Sequence, residues 1–134
     1  GINFKEKRAY DYLIIAEKEK LIERLRDDIY LRVLFERLSS FFRDNTFVIF
    51  GSATDKIQEG SDIDLLVIGK QNIVKQIEDF EKIYNKNIHK IQVKSLKKSN
   101  LTFIKEIYKK HLIFNNTEEV IRFFGELYEQ NILV

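Results

Sequence analysis

The stretch Phe47–Gly69, FVIFGSATDKIQEGSDIDLLVIG, decides how the rest of the chain is read. Phe47-Val48-Ile49-Phe50 is an apolar run that stops at Gly51-Ser52, and four apolar residues closed by glycine fit a buried strand. Ile63 and Leu65-Leu66-Val67-Ile68, ended by Gly69, predict a second strand, with Asp62 and Asp64 at its start. The polar connection between them therefore has Gly-Ser at one end and a D-x-D pair at the other.

That pattern suits phosphate and metal chemistry. Glycine lets backbone approach a ligand closely, and successive N–H groups in a turn form an anion-binding concavity. Ser52 adds a hydroxyl that can donate to a phosphate oxygen. Side chains alternate along a strand, so Asp62 and Asp64 face one way and Ile63 the other. Two such carboxylates repel each other unless a cation lies between them, and Mg²⁺ is commonly held by one or two carboxylates plus substrate phosphates.

Gly51-Ser52, then Asp62-Ile63-Asp64 opening an apolar strand, resembles the nucleotidyltransferase signature of the DNA polymerase β superfamily, above all its minimal nucleotidyltransferase domains. The resemblance implies an α/β (α+β) fold, a small mixed β-sheet palm covered by helices, with the Gly-Ser turn under a nucleoside triphosphate. It implies Asp62 and Asp64 as catalytic ligands of Mg²⁺ or Mn²⁺, and Gly51 and Ser52 as phosphate contacts. The family loop is one residue longer and often carries Arg-Gly after the serine. Here Ala53-Thr54-Asp55-Lys56 stands instead, so Lys56 is the candidate positive charge and Asp55 is expected to repel phosphate.

Active members take a third carboxylate from the next strand. The candidate strand, Ile88–Ser95, contains no Asp or Glu. Gln92, on its polar side, is the expected occupant of that place, and an amide can neither act as a base nor bind Mg²⁺ as a carboxylate does. His89 could serve as base or ligand, although a lone histidine at a strand start is more often structural.

Composition sets the outer bounds. At 134 residues, 44% hydrophobic and 33% charged, with 11 Phe and 6 Tyr, the chain suits one globular domain with its own core. No apolar run approaches the ~20 residues of a membrane span, and no signal peptide is visible, so a cytoplasmic location is expected. Without Cys there are no disulfides or thiolate metal sites, and His89 and His111 alone argue against a histidine-built metal cluster. The chain opens at Gly1 and contains no Met, which suggests a domain excised from a longer chain. The net charge of +2 is unevenly spread: Ala53–Ile83 has seven acidic residues against four lysines, and Lys86–His111 has eight lysines against Glu106. The lysine segment could face a polyanion, or be a solvated surface.

Working outward, residues 1–45 form a helical lead-in and residues 46–134 the αβ palm. Phe4–Asn45 contains neither Gly nor Pro and predicts helix, broken at Asp27-Asp28 because aspartate favours caps, with a second helix over roughly Asp28–Phe42. A homodimer contact through the Tyr10–Leu25 helix is one expectation for the lead-in. Beyond Gly69, Asn72 is expected to cap a helix carrying Ile73, Ile77, Phe80 and Tyr84 on one face. The strand at Ile88–Ser95, with one apolar and one polar face, reads as antiparallel or edge. Ser99 or Asn100 caps the next helix, His111–Phe114 is a short apolar segment, and Thr117 caps the last helix.

Three functions follow. One is transfer of a nucleoside monophosphate to a hydroxyl on a protein or small molecule. Another is a non-catalytic nucleotide-binding regulatory domain, as in archaeal relatives placed after a winged-helix DNA-binding module. The third is an antitoxin-like nucleotidyltransferase acting on a partner toxin.

Overall fold

Asp28 divides the N-terminal helical stretch where the aspartate pair predicts it. Its carboxylate accepts from the N–H groups of Tyr30 and Leu31 at 3.0 and 3.2 Å, ending α1 (Lys7–Asp27) and capping α2 (Ile29–Leu38). The computed structural model describes residues 7–133, so the expected helical residues at 4–6 lie outside the described part. After α2 and a 3₁₀ turn come β1 (Thr46–Phe50), a second 3₁₀ turn (Gly51–Thr54) and β2 (Ile63–Ile68). Then follow α3 (Val74–Tyr84), β3 (Ile88–Val93), α4 (Leu101–Lys109), β4 (His111–Ile113) and α5 (Thr117–Glu129).

The four strands form one mixed sheet in the order β3-β2-β1-β4. β1 pairs antiparallel with β2 and with β4. β3 is an edge strand, as expected, but it runs parallel to β2. The α3 crossover returns the chain in the same direction, which rules out the antiparallel alternative.

Strand alternation divides the core in two. Phe47, Ile49, Ile63, Leu65, Val67 and Leu112 face α2 and α3, meeting Leu31, Leu34, Leu38, Ile77 and Phe80. Val48, Phe50, Leu66 and Ile113 face α4 and α5, meeting Ile107, Val120, Ile121 and Phe124. α1 belongs to both layers. Tyr10, Leu13 and Ile14 pack on the α4/α5 side, whereas Leu21 and Leu25 pack on the α2 side. It thus lies along β4, whose three residues would otherwise be an open sheet edge. Tyr12, Ile15 and Ile22 remain exposed on its outer side.

The caps differ in detail. Asn72 Oδ1 accepts from Val74 N–H at 3.0 Å, and Asn100 Oδ1 accepts from Thr102 and Phe103 N–H at 2.8 and 3.3 Å. Thr117, expected as a cap, is instead the first residue of α5 and buried, and Asn116 stands at the boundary with φ +52°. No helix among the described residues is long and apolar enough to cross a membrane.

Candidate active site

The hairpin register sets Phe50 opposite Asp64, so Gly51 comes down directly on the Asp64 carboxylate. A Cβ on Gly51 would lie 2.5 Å from Asp64 Oδ2, and the residue's φ is +70°. Glycine is needed on both counts. The chain then winds through the Gly51–Thr54 turn, where Ser52 is exposed and its carbonyl accepts from Asp55 and Lys56 N–H, each at 3.2 Å. The first N–H groups of such a turn have no partner within it, an arrangement that is able to receive an anion.

Asp64 is half-buried and touches a second group. In the parallel register Asp64 is the partner of His89, and its Oδ1 lies 3.2 Å from His89 Nδ1. An ionised carboxylate only accepts, so Nδ1 carries the proton in this contact and Nε2 of the neutral ring is left as an acceptor. Asp62 sits just before β2, exposed, with no hydrogen bond or ion pair among the described residues. One row across the sheet therefore reads His89, Asp64, Phe50, His111.

The place expected for Gln92 is wrong. It pairs with Val67, on the face away from Asp64, and its Nε2 donates to the carbonyls of Gly69 and Gln71 at 3.1 and 2.8 Å. The cause is the parallel register, which brings the first polar residue of β3 to Asp64 and carries Gln92 toward the far end. The expected repulsion from Asp55 is also offset. Lys110 Nζ lies 2.7 Å from Asp55 Oδ2, and that hydrogen bond and charge hold the carboxyl below its ordinary range. Lys56, next in the chain, is exposed and free of ion pairs among the described residues.

A residue far from the hairpin in sequence also reaches the turn. Arg24, 30 positions upstream on α1, donates through Nε to the carbonyl of Thr54 at 2.8 Å and through Nη2 to that of Ala53 at 3.0 Å. The same Nη2 lies 3.4 Å from Asp28 Oδ2. No local pattern signals such a contact, because it depends on how α1 docks.

Among the described residues no three His, Cys, Asp or Glu side chains converge as a ready-made metal cluster. The donor set nonetheless fits a divalent cation brought with a substrate. Two carboxylates, Asp64 on β2 and Asp62 just before it, beside a glycine turn that a Cβ would block, leave the remaining positions to phosphate and water.

An antiparallel hairpin with a Gly-Ser turn pressed on an aspartate of a D-x-D strand defines the nucleotidyltransferase class. The family model described as polymerase beta, nucleotidyltransferase matches residues 34–119, more than half of the chain, and the chain belongs to that family. Solved structures agree on the fold. A crystal structure of a mutant toxin–antitoxin MntA–HpeT superposes with a TM-score of 0.54 at 12% identity, covering 75% of this chain and 87% of that one. A toxin–antitoxin crystallised with AMP-PNP gives 0.50 at 12% identity, covering 73% and 88%. A comparison with curated proteins gives no match.

Proposed function

We propose that this domain binds a nucleoside triphosphate with Mg²⁺ or Mn²⁺ and transfers its nucleoside monophosphate to a hydroxyl. The observation that carries this reading is the contact of Gly51 with Asp64, which sets a phosphate-facing turn against a metal-competent carboxylate. Asp62 and Asp64 would hold the cation, which supplies charge neutralisation for the α-phosphate and departing pyrophosphate. Gly51 and Ser52 would present donors to the outer phosphates, with Lys56 beside them. The acceptor oxygen forms its bond to the α-phosphorus as the bond to the bridging oxygen of pyrophosphate breaks. The acceptor's proton would pass to His89 Nε2, whose ring is oriented by Asp64. The two neighbours described as toxin–antitoxin favour a hydroxyl on a partner protein as the acceptor.

The test is labelled nucleotide transfer with Mg²⁺ in the unaltered protein and in Asp64→Ala. Transfer that survives the substitution would sink this reading. The lack of any Asp or Glu on β3 favours a second one, a nucleotide-binding regulatory domain without transfer. It is distinguished by Mg²⁺-dependent nucleotide binding with no release of pyrophosphate.

A further inference from the structure

The family match begins at residue 34, so α1 (Lys7–Asp27) lies wholly outside it. Yet α1 reaches into the family's signature turn. Arg24 is largely buried, and its guanidinium engages the carbonyls of Ala53 and Thr54, the second half of the Gly51–Thr54 turn. A turn whose carbonyls are gripped on one side presents its leading N–H groups on the other. A guanidinium suits the task because its rigid fork fixes two acceptors at once, where an ammonium offers a single flexible point charge.

Two further contacts seat the helix against the same part of the molecule. Glu17 Oε1 is 2.8 Å from Nε2 of His111, the residue paired with Phe50 immediately before Gly51. Lys18 reaches Glu118 at the start of α5 at 3.2 Å. Arg24 itself also touches Asp28, the α2 cap, so α1, α2 and the turn meet at one side chain.

We infer that Arg24 is a positioning residue for the phosphate cradle, and that α1, which lies outside the segment matched by the family model, couples its own docking to nucleotide affinity. This rests on the nucleotide-binding reading above. Coupling of this kind is reciprocal: whatever loosens α1 weakens nucleotide binding, and bound nucleotide tightens α1.

The experiment is calorimetric titration of AMP-PNP with Mg²⁺ into the unaltered protein, Arg24→Ala, Arg24→Lys and Val120→Ala, each with its thermal midpoint measured. Val120 is buried in the α5 layer, within the core cluster that excludes the turn, and serves as a control for general destabilisation. Arg24→Ala should weaken binding on the order of tenfold, inside the usual span of coupling between sites. Arg24→Lys should recover part of that loss, and Val120→Ala should lower the midpoint while leaving affinity unchanged. Hydrogen exchange should show slower exchange of α1 amides near Arg24 when AMP-PNP is bound, and lose that response in Arg24→Ala. Equal affinity in the unaltered protein and Arg24→Ala, or equal losses in Arg24→Ala and Val120→Ala, overturns the inference and leaves the nucleotide reading standing. No binding by the unaltered protein overturns both.

Discussion

At one end of the β1–β2 hairpin Gly51 lies against Asp64, and at the other Gly69 lies against Asn45. Both glycines have positive φ, and a Cβ on either would collide with the facing side-chain oxygen. The polar groups around them are treated very differently. At the Gly69 end, Asn45 donates to the Phe41 carbonyl and accepts from Gln71 N–H. Asn115 donates to the carbonyls of Phe42 and Asn45 and accepts from Phe47 N–H, and Gln92 donates to the carbonyls of Gly69 and Gln71. At the Gly51 end, Asp64 meets one histidine nitrogen, Asp62 meets nothing among the described residues, and Ser52 is exposed. Satisfied polar side chains hold a fold together, whereas polar groups left with spare capacity beside a glycine turn are available to a ligand.

The largest effect on stability should come from the Gly69 end. Asn115→Ala strips partners from the Phe47 N–H and from two carbonyls in a part-buried setting. The expected cost is about 3 kcal/mol, read by urea unfolding, with nucleotide affinity of the folded protein unchanged. A variant that unfolds normally but loses nucleotide would break the contrast between the two ends.

Gly51→Ala should come next, and should affect both properties. The left-handed backbone costs an L residue about 1–2 kcal/mol, and the added Cβ drives Asp64 Oδ2 out of its place. Reduced stability combined with abolished binding of AMP-PNP and Mg²⁺ is the expected pair of outcomes. Retained binding would mean that the turn and the carboxylate do not share a ligand.

How much of this was legible beforehand depends on the range of the interaction. The hairpin, its glycine ends and the Asp28 break are encoded within a few residues, and each lies where the local pattern puts it. The placement of Gln92 failed because β3 joins the sheet through a parallel crossover, and alternation within one strand does not reveal register against another. That same register brings His89 to Asp64, a pairing invisible without it. Arg24 and Lys110 reach the turn from 30 and 55 residues away, and nothing in their own neighbourhoods marks them. Local chemistry was readable, and the groups that tune it were set by tertiary packing.

A smaller effect is expected where α1 meets β4. Both ring nitrogens of His111 are engaged, Nε2 with the Glu17 carboxylate at 2.8 Å and Nδ1 with the carbonyls of Ile107 and Tyr108 at 2.9 and 3.2 Å. Burial pushes the Glu17 carboxyl up, but the His111 hydrogen bond and charge, with Lys20, outweigh it and hold the group below its ordinary 4.5. A carboxyl lowered in the folded state adds stability that is complete above its unfolded value and lost as pH falls through the folded one. Glu17→Gln should therefore cost about 1.5 kcal/mol at neutral pH, with the difference from the unaltered protein closing in acid. A difference independent of pH would show that the pair contributes by shape alone.

The smallest effect on stability and a large one on binding should coincide at Asp62. The side chain is exposed and, among the described residues, makes no hydrogen bond or ion pair that a neutral isostere would forfeit, so Asp62→Asn should move the unfolding free energy by less than about 0.5 kcal/mol. Removing its charge should nevertheless weaken Mg²⁺-dependent binding of AMP-PNP roughly tenfold or more, the scale set by one charge-assisted contact. Binding measured without Mg²⁺ separates the possible causes: a metal ligand matters only when the ion is present, whereas a surface charge repelling phosphate would make the substitution favourable in its absence. If Asp62→Asn leaves Mg²⁺-dependent binding intact, Asp64 alone carries the charge at the Gly51 end, and the unsatisfied Asp62 is an ordinary surface aspartate.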